Sequence, residues 1–244
     1  MKRAFGLDQY AATTYSQNGE DGILKHIFSQ IGYKSRQFLE FGFEVPECNA
    51  WRLMIEEGFG GLFIDKSQRI CDRAWAVLIE NDIPGGRVIN GGVTIANIND
   101  LAENLPNEID LLSVDVDGND YWIWKALSVV SPRVVVIEYN AALGPLASIT
   151  IPYDSEFAWH GGAYYGASLK ALEILGKEKG YRLIGCDPMG VNAFFLRNDI
   201  EGSTDKTLTA KEAYRLNPKI APQEMEWGTV NDRVWIDVLS EAGK

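Results

Sequence analysis

The chain has 244 residues, and 46% of them are hydrophobic, which excludes global disorder because a chain of this composition can bury a full core. Its 23 Lys and Arg residues against 34 Asp and Glu residues give a net charge of -11, which disfavours nucleic acid and anionic membranes as partners. No apolar run reaches the length of a membrane helix, and the start of the chain lacks the apolar core of a signal peptide. We therefore expect a cytoplasmic protein, and its three cysteines, which form no CxxC pair, predict neither a zinc site nor disulfides.

A helical pattern opens the chain at 19–31, and short apolar runs then alternate with further helical patterns. The runs predict strands at 38–42, 61–65, 87–90, 109–117 and 133–139. The intervening patterns predict helices at 48–57, 68–81, 98–105 and 119–130. Because a parallel neighbour is reached only through a crossover, this alternation predicts a doubly wound α/β sheet.

The pattern changes after the fifth run. A loop at 140–164, rich in Gly, Pro and aromatic residues, precedes a predicted helix at 165–179. Two strands follow at 181–186 and 191–197, and the turn residues between them predict an antiparallel hairpin at the sheet edge. A Rossmann-like, mostly parallel seven-stranded sheet that ends in such a hairpin looks like the class I methyltransferase fold.

The sequence predicts three parts of the chain. We expect an N-terminal helical segment at 1–36, a cofactor-binding core at 37–199 and a polar C-terminal extension at 200–244. The extension contains helix candidates at 210–216 and 231–239.

The first strand ends in FLEFGFE, in which Gly42 allows the backbone to approach a ligand closely. The GxGxxG fingerprint that grips a diphosphate is absent, which disfavours NAD and FAD. S-adenosylmethionine carries no phosphate, and its sulfonium and amino groups suit a carboxylate such as that of Glu40. The alternative is a buried strand that ends in a solvated turn.

Two further strand ends are suited to an adenosine. Asp65 closes the second strand, where a carboxylate can accept both ribose hydroxyls, although Asp is also common in plain turns. After the third strand, Asn90 offers amide contacts, Gly91 a close backbone approach and Val93 an apolar face for adenine. A simple glycine turn explains this last segment equally well.

Acidic residues crowd the ends of the fourth and fifth strands. Asp115, Asp117 and Asp120 crowd the C-terminal end of the fourth strand. Such crowding indicates a cation or a functional carboxylate, unless Asp120 only caps the next helix and Asp117 only starts its turn. Glu138 and Asn140 end the neighbouring strand. Oxygen donors on adjacent strand tips suit Mg²⁺, which could lower the pKa of a substrate hydroxyl.

His160 lies in the long loop after the fifth strand, where a wound sheet places its active site. Its ordinary pKa suits a general base, although loop histidines are often only surface residues.

Taken together, these segments resemble the FkbM-type branch of S-adenosylmethionine-dependent methyltransferases. The resemblance is carried by SQNGED at 16–21, FLEFG at 38–42, FID at 63–65 and VDVDGNDYWIW at 114–124. It implies S-adenosylmethionine as cofactor, and it implies that Asp115 lies beside the sulfonium and takes part in catalysis. The residues that it implies for cofactor binding are Gln17, Glu40, Gly42, Asp65, Asn90, Gly91, Val93 and Asp115. By similarity to metal-dependent O-methyltransferases, the implied magnesium ligands are Asp117, Glu138 and Asn140.

We therefore predict methyl transfer to an oxygen of a small polar acceptor, such as a sugar or a natural-product hydroxyl. His160 or a metal-bound oxygen would remove the acceptor proton. A nicotinamide-dependent oxidoreductase is a second hypothesis, which the missing GxGxxG disfavours. A non-catalytic nucleoside-binding or scaffold protein with the same fold is a third.

Overall fold

Nine strands form in the part of the chain that the computed structural model describes, which comprises residues 6–203, 205–218 and 232–241. In chain order they are β1 (Gln37–Phe41), β2 (Gly60–Asp65), β3 (Gly86–Asn90), β4 (Glu108–Val114), β5 (Ser131–Glu138), β6 (Ile149–Thr150), β7 (Tyr181–Cys186), β8 (Asn192–Arg197) and β9 (Ile236–Asp237). Seven of these strands form one sheet, and β6 pairs with β9 in a separate two-stranded sheet.

The strands of the large sheet lie in the order β3-β2-β1-β4-β5-β8-β7. The first five are mutually parallel, whereas β8 runs antiparallel to both of its neighbours, β5 and β7. The order reverses between β1 and β4, and in a wound sheet that switch point opens a crevice at the carboxyl ends of the strands. The predicted fold is confirmed: a doubly wound, mostly parallel sheet with an antiparallel edge hairpin, as in class I methyltransferases.

Helices cover both faces of the sheet. They are α1 (Glu20–Ile31), α2 (Trp51–Glu57), α3 (Gln68–Glu80), α4 (Ile98–Ala102), α5 (Asp120–Ala126), α6 (Leu169–Glu178), α7 (Ala210–Ala213) and α8 (Val238–Glu241). Serine side chains cap the N-termini of α3 and α6. The Ser67 hydroxyl accepts from the Ile70 N–H at 3.4 Å, and the Ser168 hydroxyl accepts from the Ala171 N–H at 3.1 Å. Within the described residues, no helix combines the length and the apolar character that a bilayer crossing demands.

Two apolar cores sandwich the sheet, because successive side chains of each strand point to opposite faces. Leu39 and Leu112 pack on the face that carries α4, α5 and α6, whereas their neighbours Phe38 and Leu111 pack on the face that carries α1, α2 and α3. Both faces of the central strands are therefore buried, which explains their continuous apolar runs.

The fourth strand is shorter than predicted. It ends at Val114, because the Asp120 carboxylate accepts hydrogen bonds from the backbone N–H groups of Val116 at 2.8 Å and Gly118 at 3.0 Å. These bonds fold residues 115–118 into a tight loop, in which Asp117 has a φ of 57°. The acidic residues that follow β4 thus lie on a loop above the sheet edge.

The C-terminal extension also departs from the prediction. Ile236 and Asp237 belong to β9 instead of the predicted helix at 231–239, and residue 231 lies outside the described residues. Ala210 and Ala213 of α7 are buried in the core that contains α6, so this part of the extension packs on the sheet.

Candidate functional site

Two cavities lie at the carboxyl edge of the sheet, at the switch point between β1 and β4. The first has a volume of about 260 Å³ and the second about 110 Å³. They share four lining residues, Gly42, Asp65, Asp115 and Asp117. The site is therefore a two-part crevice whose halves meet over the ends of β1, β2 and β4.

Gly42 lies where the two halves meet, and its φ of 61° is in the left-handed region. A Cβ atom at this position would lie only 1.5 Å from the carbonyl oxygen of Asp115. The turn after β1 therefore passes against the backbone of the loop after β4, and only glycine permits that approach.

Glu40 lines the first cavity and is buried. Its carboxylate accepts from the N–H groups of Asn49 and Ala50, each at 2.9 Å, and thereby fixes the segment that leads into α2. Burial raises the pKa of Glu40 to about 7, although these hydrogen bonds favour its charged form. The residue thus positions the loop that borders the cavity, in addition to facing it.

The SQNGED segment forms the rim of the first cavity, which Ser16, Gln17 and Asn18 line. One oxygen of Asp21 accepts from the N–H groups of three successive residues, Thr14, Tyr15 and Ser16, at 2.6–2.9 Å. Gln17 itself is exposed at the rim, and its amide donates to Glu47 at 3.3 Å.

Glu20 connects this rim to the antiparallel part of the sheet. Its carboxylate accepts from the backbone N–H of Asn18 and from the side-chain amide of Asn192, both at 2.8 Å. Asn192 is the first residue of β8 and lines the same cavity. The N-terminal rim is therefore fastened to the antiparallel strand.

The second cavity holds most of the residues that the sequence predicts for a nucleoside. Gly91 and Val93 line it, and Asp65 lines both cavities. One carboxylate oxygen of Asp65 accepts from the Ser67 N–H at 2.7 Å, and burial raises the pKa of Asp65. Asn90 borders neither cavity; it is exposed, and its amide donates to the backbone carbonyl of Asp65 at 3.2 Å.

Three carboxylates converge beside the crevice, with oxygens of Asp115, Asp120 and Glu138 all within 4.8 Å of one another. Burial first, and then the charges of the neighbouring acids, raise the pKa values of Asp115 and Glu138 well above their ordinary range. The Oε2 atom of Glu138 is buried, and no described residue forms a hydrogen bond with it. A cation placed here would relieve the repulsion among these groups.

The residues predicted as magnesium ligands do not form this group. Asn140 is buried, its amide donates to the carbonyls of Ala163 and Tyr165 at 2.8 Å, and its oxygen accepts from the Ala142 N–H at 3.0 Å. Asp117 lies outside the set of converging carboxylates. Because the Asn140 side chain already serves the backbone, the set of Asp117, Glu138 and Asn140 does not fit a magnesium ion.

Comparisons with known proteins give neighbours in fold only. No family model matches the chain, and no curated protein matches its sequence. Similar solved structures include S-adenosylmethionine-dependent methyltransferases. The N-terminal domain of EvdMO1 with S-adenosylhomocysteine bound has a TM-score of 0.48 and 9% identity, over 74% of this chain and 80% of that chain. A methyltransferase from Clostridium acetobutylicum has a TM-score of 0.46 and 12% identity, over 74% of this chain and 92% of that chain.

Another similar structure is the O-methyltransferase NcsB1 of neocarzinostatin biosynthesis, in complex with S-adenosylhomocysteine and 1,4-dihydroxy-2-naphthoic acid. It has a TM-score of 0.42 and 15% identity, over 72% of this chain and 55% of that chain. At such identities, the activity of this chain has to be inferred from its own residues.

The loop after β5 covers the second cavity. The side chain of Asn119 donates to the Asp154 carbonyl at 2.8 Å, and the Trp122 indole donates to the Ile151 carbonyl at 2.9 Å. The Phe157 ring lies against Gly118, where a Cβ atom would be only 2.5 Å from the ring. His160 is exposed on this loop and borders neither cavity.

Sequence reasoning missed several residues that shape the crevice. They are Glu20 and Asp21, which hold the rim, and Ser113, Asn192 and Phe157, which line the cavities. The only available signal was the SQNGED segment, whose two acids look like ordinary residues of a first helical turn. Their actual partners lie in backbone segments that the sequence alone does not bring together.

Proposed function

We propose that the chain is an S-adenosylmethionine-dependent methyltransferase of the FkbM type, which methylates an oxygen of a small polar acceptor such as a sugar or a natural-product hydroxyl. The observation that carries this proposal is the two-part crevice, whose halves meet at Gly42 and Asp115. A ligand with an amino-acid end and a nucleoside end, joined at a cationic centre, matches that shape and charge.

The residues that line each cavity suit one end of the proposed cofactor. The first cavity is lined by amides, carboxylates and the backbone of the rim, which suit an amino-acid group. Asp65 would accept the ribose hydroxyls, and Val93 and Phe157 would contact the adenine ring in the second cavity. The turn at Gly42 presents one glycine and no glycine-rich phosphate loop, so a sulfonium nucleoside suits the crevice better than a dinucleotide does.

Asp115 would lie beside the sulfonium, because it lines both halves where they meet. A positive sulfur there would be stabilised by the neighbouring carboxylates, whose mutual repulsion it reduces. These acids provide a physical reason for the cofactor to bind in its charged form.

The reaction is an in-line displacement, in which an acceptor oxygen attacks the methyl carbon while the bond from that carbon to sulfur breaks. The sulfur leaves as a neutral thioether, so the protein mainly aligns the two reactants and takes up the acceptor proton. We assign proton removal to His160, which lies on the loop that covers the crevice. No step is routed through a metal, since the predicted ligand set does not fit one.

The state of the cysteines supports a cytoplasmic location, which we include in the proposal. Cys48, Cys71 and Cys186 are all free and buried. The Cys71 thiol donates to the carbonyl of Asp65 at 3.4 Å, which is a packing role. Reduced, buried thiols are typical of proteins from a reducing compartment.

Calorimetric titration tests the proposal with S-adenosylmethionine, S-adenosylhomocysteine and NAD. We expect the first two ligands to bind and NAD to fail. Asp65→Asn should weaken S-adenosylhomocysteine binding about tenfold, because it replaces a charged hydrogen-bond acceptor. Asp72→Asn, at an exposed position on α3, is the matched control and should leave the affinity unchanged. Binding of NAD alone, or of none of the three ligands, would reject the methyltransferase assignment.

A further inference from the structure

The end of the described chain returns to the loop that covers the crevice. β9 pairs antiparallel with β6, with Thr150 opposite Ile236, and the Ser148 hydroxyl donates to Asp237 at 2.7 Å. The Tyr164 hydroxyl also donates to the Val234 carbonyl at 2.8 Å. Residues 234–237 thus pack against the loop that follows β5.

Aromatic side chains from the loop and from this returning segment form what we call the aromatic wall, which consists of Phe157, Trp159, Tyr164, Tyr165 and Trp235. The Tyr164 ring lies 5.0 Å from Trp235 and 6.4 Å from Phe157, and the Trp159 ring lies 5.7 Å from Tyr165, measured between centroids. Trp159 is 47% exposed, although such a large ring is usually more buried. The wall therefore presents accessible ring surface beside the crevice.

Tyr165 joins the aromatic wall to the acidic strand tips. Its backbone carbonyl accepts from the Asn140 amide at 2.8 Å, directly beyond the end of β5. Burial raises the pKa of the Tyr165 phenol, and the next largest cause is the nearby charge of Glu138. At the other end of the wall, Phe157 lines the second cavity. A molecule resting on the wall would therefore lie next to the place where the methyl group is delivered.

Arg233 adds a positive charge to the aromatic wall. Its guanidinium lies 5.3 Å from the centroid of the Tyr164 ring. The side chain is exposed and forms no ion pair with any other described residue. The chain as a whole carries a charge of -11, and the strand tips beside the wall are acidic. Because no carboxylate of the described residues pairs with this guanidinium, we treat it as a charge that an anionic ligand can reach.

We infer that the aromatic wall and Arg233 form the acceptor subsite, and that the acceptor is a ring compound that carries a carboxylate. This inference rests on the proposed methyltransferase function and specifies its substrate class. Sugar or aromatic rings pack on exposed aromatic faces, and a guanidinium binds a carboxylate through paired hydrogen bonds. Without Arg233, the acids at the strand tips would repel such an acceptor. The C-terminal extension thus determines acceptor specificity.

The test compares two ring ligands, p-nitrophenyl β-D-glucoside and p-nitrophenyl β-D-glucuronide, in which a carboxylate replaces the C6 hydroxymethyl group of the glucoside. Their affinities are measured by calorimetry on the full chain in the presence of S-adenosylhomocysteine. We expect the glucuronide to bind about fivefold more tightly, which is the effect of one exposed ion pair. Arg233→Gln should reduce this ratio to about one, whereas Arg87→Gln, at an exposed position on β3, should preserve it. Tyr164→Leu should weaken both ligands alike.

Three results would overturn the inference: equal affinities for the two ligands in the unmodified protein, a preference that survives Arg233→Gln, or no binding of either ligand. Titration of S-adenosylhomocysteine into the unmodified protein and each variant distinguishes failure of the acceptor subsite from failure of the proposed methyltransferase function. Intact cofactor binding together with any of the three results rejects the acceptor subsite alone. Loss of cofactor binding in the unmodified protein instead rejects the methyltransferase function.

Discussion

Gly42→Ala directly tests the close contact between the turn after β1 and the loop after β4. The new Cβ atom would lie 1.5 Å from the Asp115 carbonyl oxygen, and the residue would have to keep a φ of 61° or change its backbone conformation. No rotamer relieves this clash, because both the added atom and the oxygen are fixed by the backbone. The two strand tips must therefore move apart at the place where the two cavities join.

The size of the effect follows from two contributions. A left-handed conformation costs an alanine about 1–2 kcal/mol, and forcing extra volume into a packed region costs about 1–3 kcal/mol. Together they lower the free energy of unfolding by about 2–5 kcal/mol. For a chain of 244 residues, this corresponds to a decrease in Tm of about 4–20 °C. The displaced tips should also weaken S-adenosylhomocysteine binding by at least about tenfold.

Thermal unfolding and calorimetric titration measure the two effects. Gly58→Ala is the matched control, because Gly58 has a similar φ of 68°, a Cβ atom there meets nothing within 4 Å, and the residue borders neither cavity. We expect the control to lose only about 1–2 kcal/mol, the cost of the left-handed conformation, and to keep the affinity of the unmodified protein. If Gly42→Ala matched the control in both measurements, the contact between the two tips would not shape the cofactor site.

Three further predictions concern titration, metal and proton removal. In the folded protein the pKa of Glu40 is raised from 4.5 to about 7. Between these two pH values the folded state therefore binds more protons than the unfolded state, and the free energy of unfolding decreases as the pH rises. Glu40→Gln should make the urea midpoint of unfolding less dependent on pH between 5 and 8. If the midpoint changed with pH as it does in the unmodified protein, the raised pKa would be contradicted. Methyl transfer should proceed at its normal rate in excess EDTA, because the predicted magnesium ligands do not fit the ion and the proposed sulfonium supplies the positive charge beside Asp115, Asp120 and Glu138; a loss of activity that Mg²⁺ restores would show the opposite. His160→Ala should lower kcat more than tenfold and leave S-adenosylhomocysteine affinity unchanged, and a normal kcat would remove His160 from the reaction.

The sheet was predictable because its signal is local. The central strands are buried on both faces, so each appears in the sequence as a short apolar run between helical patterns. The pair of β6 and β9 gave no such signal, because each strand has two residues and its partner is distant in sequence. Predicted strand ends also identified Gly42 and Asp65 as residues that line the crevice, since ligands of wound sheets bind at that edge.

The partners of the acidic residues could not be predicted in the same way. The acids after β4 have similar sequence surroundings, yet Asp120 binds the backbone of its own loop while Asp115 faces the crevice. The sequence predicts Asn140 as an oxygen ligand of a metal ion. In the folded chain, however, its amide donates to carbonyls of the loop that follows it. These assignments depend on which backbone groups lack partners in the folded chain, and a residue pattern does not contain that information.

The hydrogen bond between Glu20 and Asn192 has a consequence for biosynthesis. Glu20 is translated before β1, whereas Asn192 is translated only after β1–β5 and β7. A nascent chain that stops before β8 already contains the whole parallel part of the sheet, but the wall of the first cavity that Asn192 provides is still missing. Affinity for the amino-acid end of the proposed cofactor should therefore arise late in translation, so that ligand binding coincides with completion of the sheet.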